Sequence, residues 1–139
     1  MGARITRRGG SSFPALAAID SRAITGGELF FGLKGESDDG GRFARVALES
    51  GAWGVVVGPG YADVISGPGD AAPEGWVFVV EDPLAAMQSL ATAWRRELAS
   101  TVIGITGSVG KTSVKDITKA ILPGAVHASE ENFNTEIGL

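Results

Sequence analysis

Four short apolar runs constrain the fold of this chain more than any other feature. They are Glu28-Leu29-Phe30-Phe31-Gly32-Leu33, Trp53-Gly54-Val55-Val56-Val57, Trp76-Val77-Phe78-Val79-Val80 and Thr101-Val102-Ile103-Gly104-Ile105-Thr106. Each is bounded by glycine, proline or polar residues and is too short for a helix, so each predicts a buried strand. The fourth lacks polar alternation altogether, as expected of a strand covered on both faces. Helical patterns fall between them. From Arg42, the positions Phe43, Val46, Ala47 and Ser50 keep helical spacing, and Gly51 is placed to end that helix in a left-handed conformation. Asp82-Pro83 is a start signal, because Asp caps free amides and Pro needs no donor at the first helical position. Leu84, Met87, Leu90, Ala91, Trp94 and Leu98 then form one apolar stripe. A third helix is predicted over 111–122, with Val114, Ile117 and Ile121 on one face and Pro123-Gly124 as its stop. Strands alternating with helices predict the α/β class.

Residues 1–12 are polar and glycine-rich and are expected to be frayed. Residues 58–75 carry three prolines without periodicity and are expected to form an irregular surface loop. The three tryptophans fall on predicted strands or an apolar helix stripe, so core packing is their expected role.

Charge and composition narrow the function classes. The net charge of −4 argues against a general nucleic-acid binder. The chain has no cysteine, hence no disulfide framework, thiolate metal site or Cys nucleophile, and a reducing, cytoplasmic setting is expected. No apolar run approaches the ~20 residues needed to span a bilayer. Arg4, Arg7 and Arg8 are not followed by a signal-peptide pattern, because the apolar stretch after them contains Pro14 and stops at Asp20. Glycine is 21 of 139 residues, about twice the usual ~7%, and needs a local explanation.

Part of that explanation lies in Gly107-Ser108-Val109-Gly110-Lys111-Thr112, set between the fourth predicted strand and the helix after it. Glycines let backbone amides turn inward around phosphate oxygens, and a helix N-terminus adds positive potential. Lys supplies a mobile cation, and the Thr hydroxyl can ligate Mg²⁺. The longer consensus, with four residues between its glycines, is not met, because position 105 is Ile. The competing reading is a chance turn in a glycine-rich chain; the strand–turn–helix context favours a phosphate loop. Lys115 and Lys119 read as a solvent-facing i, i+4 pair with Asp116 beside them, and His127 has no catalytic or metal-ligand partner at a telling spacing.

Several segments are similar to one known family. They are Asp20-Ser21-Arg22, Gly27-Glu28-Leu29-Phe30-Phe31-Gly32-Leu33-Lys34-Gly35, Asp39-Gly40, Phe43 and Gly51-Ala52, together with Ile105-Thr106-Gly107-Ser108-Val109-Gly110-Lys111-Thr112. Together they resemble the Mur ligases, ATP-dependent enzymes that add amino acids or dipeptides to UDP-N-acetylmuramoyl precursors of peptidoglycan. Gly-Ser in the loop, Ser113-Val114-Lys115-Asp116 after it, and Asn132-Phe133-Asn134-Thr135-Glu136-Ile137-Gly138 resemble the member that adds D-alanyl-D-alanine.

The resemblance implies a substrate-binding domain over 1–98, followed over 99–139 by the first strand, phosphate loop and helix of a central ATPase domain, incomplete here. It implies that Ser21 and Arg22 hold the UDP moiety, with Lys34, Gly35 and Asp39 on the 34–41 loop along the same ligand. ATP is expected on Gly107, Ser108, Val109, Gly110, Lys111, Thr112 and Ser113. Lys111 would act on the β and γ phosphates and Thr112 on Mg²⁺, these two being the catalytic pair, while Asn134 and Glu136 belong to an expected active-site loop. The implied reaction forms an acyl phosphate on the carboxylate of UDP-N-acetylmuramoyl-tripeptide, which the amine of D-alanyl-D-alanine displaces. Such chemistry rests on positioning and charge neutralisation, so no protein nucleophile is required. A cytoplasmic monomer without nucleic-acid or membrane partners is expected, and the chain by itself is expected to be an inactive N-terminal fragment. The alternatives are the preceding ligase of the pathway, or a non-catalytic nucleotide-binding module.

Overall fold

The structure is a computed structural model that describes residues 2–10, 12–35, 38–65 and 73–129. The chain divides into two compact units, residues 1–97 and 98–139.

The first unit is built on a five-stranded sheet. Its strands are β1 (Arg4–Arg7), β2 (Ala17–Ala18), β3 (Leu29–Phe31), β4 (Gly54–Val57) and β5 (Trp76–Val79), in the spatial order β1-β5-β4-β3-β2. Strands β2 to β5 run parallel, and β1 closes the β5 edge antiparallel. Three helices accompany the sheet: α1 (Ala44–Glu49), α2 (Ala62–Ile65) and α3 (Pro83–Glu97).

Side-chain alternation along the central strands explains why their sequences are apolar throughout. Phe30, Val55 and Val77 are register neighbours on one face, where Ala44, Ala47 and Leu48 of α1 and Ala62 and Ile65 of α2 cover them. Phe31, Val56 and Phe78 are neighbours on the other face, covered in part by Ala86 and Met87 of α3. The predicted α/β class is observed in this mixed sheet, and three of the expected strands are present. Asp82 starts α3 as its composition suggested: the carboxylate accepts the Leu84 and Ala85 amides at 2.9 and 3.0 Å. Gly51, with φ of 92°, adopts the left-handed conformation after α1.

Several expectations fail for physical reasons. Residues 1–12 are not frayed throughout, because Arg4–Arg7 pairs with β5 and satisfies an edge that would otherwise lie open. The N-terminal segment is also tied to an aromatic stack of Trp53, Trp76 and Phe78, with centroids 5.6 to 6.0 Å apart. The Trp53 and Trp76 indoles donate to the Ser12 and Gly10 carbonyls at 2.5 and 2.9 Å. Within the expected 58–75 loop, Pro59–Tyr61 forms a 3₁₀ turn that leads into α2, and residues 66–72 lie outside the described residues. Trp94 is 64% exposed rather than core, because the apolar stripe of α3 continues beyond the part that meets the sheet. In α1 the buried positions are Ala44, Ala47 and Leu48, and Val46 faces solvent.

In the second unit the expected strand at 101–106 is absent. A strand requires a partner edge for its amides and carbonyls, and none pairs with this segment among the described residues. Helix α4 (Lys111–Ile121) forms as expected, with Val114, Ile117 and Ile121 exposed. Among the described residues, no helix is long and apolar enough to cross a membrane.

Candidate functional site

Because β2 to β5 are parallel, the segments leaving their carboxyl ends emerge along one end of the sheet. Open α/β sheets place ligands there. Ser21 and Arg22 follow β2, while Lys34, Gly35 and Asp39 follow β3, so the five expected nucleotide-sugar residues share that end.

Ser21 and Arg22 lie in a single 3₁₀ turn, Ser21–Ala23, whose cap is Asp20. The Asp20 carboxylate accepts the Arg22 amide at 2.9 Å and grips the guanidinium at 2.9 and 2.7 Å. Hydrogen bonds from the Arg22 side chain, then from its amide, hold the Asp20 carboxyl down at about 2. The Arg22 side chain is otherwise solvent-facing, so its charge is oriented by Asp20 while its outer edge stays open.

The loop after β3 is pinned at its neck. Lys34 and Asp39 form an antiparallel bridge, the Gly35 amide donates to the Asp38 carbonyl at 2.8 Å, and the Gly40 amide donates to the Leu33 carbonyl at 2.8 Å. Asp39 caps the following 3₁₀ turn, Gly40–Phe43, accepting the Gly41 amide at 2.9 Å. Arg42 pairs with Asp38 at 2.7 Å. The glycine excess acquires a second explanation here, because Gly32 and Gly41 approach backbone to backbone. A Cβ on Gly32 would lie 2.7 Å from the Gly41 Cα. Lys34 and Gly35 are exposed and Asp39 half-buried.

Glu28 stands at the opposite, amino end of β3. It is 5% exposed, and its carboxylate accepts the Thr25 hydroxyl at 2.6 Å and the Gly26 amide at 2.8 Å. The Thr25 hydroxyl bond is the main cause that holds its carboxyl down at about 2. The Glu28 carbonyl accepts the Trp53 amide, linking the 25–28 turn to the start of β4.

The phosphate-loop residues lie in the second unit. Gly107 and Gly110 have φ of 154° and 80°, and Gly110 precedes α4 in the left-handed region without any side-chain cap. A Cβ on Gly110 would meet nothing within 4 Å, so that glycine serves backbone conformation rather than packing. Ser108, Val109, Thr112 and Ser113 are exposed, and among the described residues no side-chain cap meets the start of α4. Lys111 curls back, its ammonium donating to the Gly107 carbonyl at 2.5 Å. Uncapped amides, an accessible hydroxyl and a folded-back ammonium form an arrangement that suits a phosphate chain. Among the described residues, no cluster of three or more His, Cys, Asp or Glu could hold a metal ion. Lys115 is not a solvated partner of Lys119: its side chain is 21% exposed and donates to the Ser129 carbonyl at 3.0 Å. Asn134 and Glu136 lie outside the described residues.

Sequence reasoning missed Tyr61. It follows β4 and reaches the same end of the sheet, where its ring packs against Gly41. It is the sole tyrosine of the chain, and the signal available was its place just beyond a buried strand.

No protein-family model matches the chain. Curated relatives do. It is 41% identical over 122 residues to a UDP-N-acetylmuramoyl-tripeptide–D-alanyl-D-alanine ligase of Synechocystis, covering 86% of this chain and 25% of that protein. It is 40% identical over 131 residues to a UDP-N-acetylmuramoyl-L-alanyl-D-glutamate–2,6-diaminopimelate ligase of Prochlorococcus marinus, covering 91% of this chain and 25% of that protein. Among solved structures, MurF ligase from Thermotoga maritima in complex with ADP matches with a TM-score of 0.68 and 28% identity, over 96% of this chain and 27% of that one. The chain therefore spans about a quarter of the length of the relatives it matches. Sequence likeness along most of its residues and a shared backbone arrangement lead to one conclusion: the chain belongs to the Mur ligase family.

Proposed function

We propose that this chain supplies the nucleotide-sugar domain and the phosphate loop of a cytoplasmic ATP-dependent amide ligase. That ligase adds D-alanyl-D-alanine to UDP-N-acetylmuramoyl-tripeptide, an acid–amino-acid ligation of peptidoglycan precursor synthesis. The observation that carries the reading is the gathering of Ser21, Arg22, Lys34, Gly35 and Asp39 at the carboxyl end of one parallel sheet, in a chain similar to ligases of that name.

Arg22 and Lys34 supply positive charge for the diphosphate, and Asp39 accepts hydrogen bonds from neutral donors of the nucleoside. The 1–98 segment is thus the substrate domain. In 99–139, the amides of residues 107–113 bind ATP, the Lys111 ammonium exchanges the Gly107 carbonyl for phosphate oxygens, and the Thr112 hydroxyl ligates Mg²⁺. ATP, when bound, supplies the phosphoryl group that activates the substrate carboxylate towards the amine of D-alanyl-D-alanine. Lys111 offsets charge that develops during that transfer. Asn134 and Glu136 belong to the same active-site region in this reading.

A second reading is the preceding ligation, which adds an amino acid to UDP-N-acetylmuramoyl-dipeptide. It is favoured by the comparable identity to the diaminopimelate ligase. Calorimetric titration of the chain with UDP-N-acetylmuramoyl-tripeptide and with the dipeptide separates the two. Tighter binding of the tripeptide is expected. Binding of neither overturns the nucleotide-sugar assignment, and preference for the dipeptide favours the second reading.

A further inference from the structure

Helix α4 covers its polar side and leaves its apolar side open. Its half-buried residues are Lys111, Lys115 and Thr118, which share one face, while Val114, Ile117 and Ile121 are exposed. The chain leaves the helix at Leu122, turns at Gly124, whose φ is 89°, and continues with Val126 and Ala128 half-buried between exposed neighbours. That alternation is the period of an extended segment lying against a surface. The Lys115 side chain identifies the surface: it is 21% exposed, its ammonium donates to the Ser129 carbonyl at 3.0 Å, and Asp116 stands 3.5 Å away. Lysine stems on a helix lean towards its N-terminus, so this bond draws Ser129 back towards the turn of Lys111, whose own ammonium holds the Gly107 carbonyl. The segments before and after α4 are thereby tied to one face of the helix, each by one lysine.

We propose that Lys115 is a positioning residue of the nucleotide site, a latch that returns the chain to the phosphate-loop end of α4 before it enters residues 130–138. The inference rests on the reading that residues 107–113 bind ATP and that Asn134 and Glu136 belong to the same site. Chain length shows what the latch contributes. Thr135, between those two residues, lies six residues past Ser129, a span of at most ~20 Å. It lies thirteen residues past Leu122, where the chain leaves α4, a span of at most ~45 Å. Closure entropy grows with three-halves of the logarithm of loop length, so roughly halving the free chain raises the local concentration of Asn134 and Glu136 at the nucleotide about 3-fold.

The test uses the full 139-residue chain with Mn²⁺-ATP as the probe. Calorimetry reads affinity. Because the chain has no cysteine, a nitroxide on Thr135→Cys is a unique label, and pulsed electron paramagnetic resonance reads its distance to the bound Mn²⁺. Lys115→Met keeps the apolar stem and removes the donor. It is expected to weaken ATP binding ~3-fold and to lengthen and broaden the Mn²⁺–nitroxide distances, with the helicity of α4 by circular dichroism unchanged. Lys115→Arg retains a donor and should restore both readouts. A merely structural contact would alter the distances and leave the affinity alone. Unchanged affinity or unchanged distances in Lys115→Met, or losses that Lys115→Arg does not recover, overturn the inference and leave the phosphate-loop reading standing. If the wild-type chain does not bind Mn²⁺-ATP, the phosphate-loop reading falls and this inference falls with it.

Discussion

Gly32 offers the most direct test of how the sheet shapes the loop that follows β3. It follows β3, donates its amide to the Val56 carbonyl at 2.9 Å, and faces the backbone of Gly40 and Gly41 across a gap with no side chain in it. In Gly32→Ala the new Cβ would lie 2.7 Å from the Gly41 Cα, 2.8 Å from its amide nitrogen and 3.1 Å from the Gly40 carbonyl carbon. Ordinary contact begins at 3.4 Å, so the two segments must separate by about 0.7 Å. All three neighbours are backbone, and no rotamer change can absorb the displacement. Two hydrogen bonds sit on the segment that must move: the Gly40 amide to Leu33, and the Gly41 amide to Asp39. Overpacking of this kind costs about 1–3 kcal/mol, and a weakened hydrogen bond adds about 1 kcal/mol. For a unit of this size, each kcal/mol lowers the melting temperature by about 4–8 °C.

Urea and thermal unfolding followed by tryptophan fluorescence measure the first effect, since Trp53 and Trp76 stack within the same unit. Calorimetry with UDP-N-acetylmuramoyl-tripeptide measures the second, because Lys34 and Asp39 move with the loop. Gly60→Ala is the control: its Cβ meets nothing within 4 Å, and it should shift stability by less than about 0.5 kcal/mol. A Gly32→Ala variant as stable as the control, with unchanged affinity, would refute the claim that close backbone approach sets the loop.

Two further outcomes are expected. Lys111→Ala should weaken binding of Mg²⁺-ATP at least ~10-fold, through loss of a charge-assisted contact, and leave UDP-N-acetylmuramoyl-tripeptide affinity unchanged; calorimetry with each ligand checks both halves. Glu28, whose carboxyl is held at about 2 against an ordinary 4.5, contributes stability that is fully present above pH 4.5 and is lost as pH falls towards 2. Glu28→Gln should lower stability at neutral pH and flatten that acid limb, because an amide cannot accept both the Thr25 and Gly26 donors with charged oxygens. Parallel acid limbs in the two proteins would rule out this role.

What the sequence disclosed, and what it withheld, follows from where each element finds its stabilising partners. Strands β3, β4 and β5 are sandwiched between helices and carry the apolar cost on both faces, so they were legible as continuous runs. Arg4–Arg7 and Ala17–Ala18 lie at the sheet's two edges, held by ladder hydrogen bonds to neighbours whose apolar faces are already covered, and no local pattern marks them. The Thr101–Thr106 composition fits a strand, yet strand formation depends on an edge to pair with, which composition does not specify. The segment 107–112 stands out in sequence because a glycine in the left-handed region and the lysine after it form a local unit. Tyr61 was not, since its contact with Gly41 arises only through the pairing of β3 with β4.

Strand β1 also bears on the behaviour of the chain in solution. Without Arg4–Arg7, β5 would present a row of unpaired amides and carbonyls beside an aromatic stack, a template for pairing with another molecule. The residues that cover it are charged at both ends, and Arg7 reaches further, its guanidinium donating to the carbonyls of Gly75 and Pro73. A basic N-terminus that reads locally as a polar tail is thus a guard strand, and its removal would turn a capped sheet into one prone to self-association.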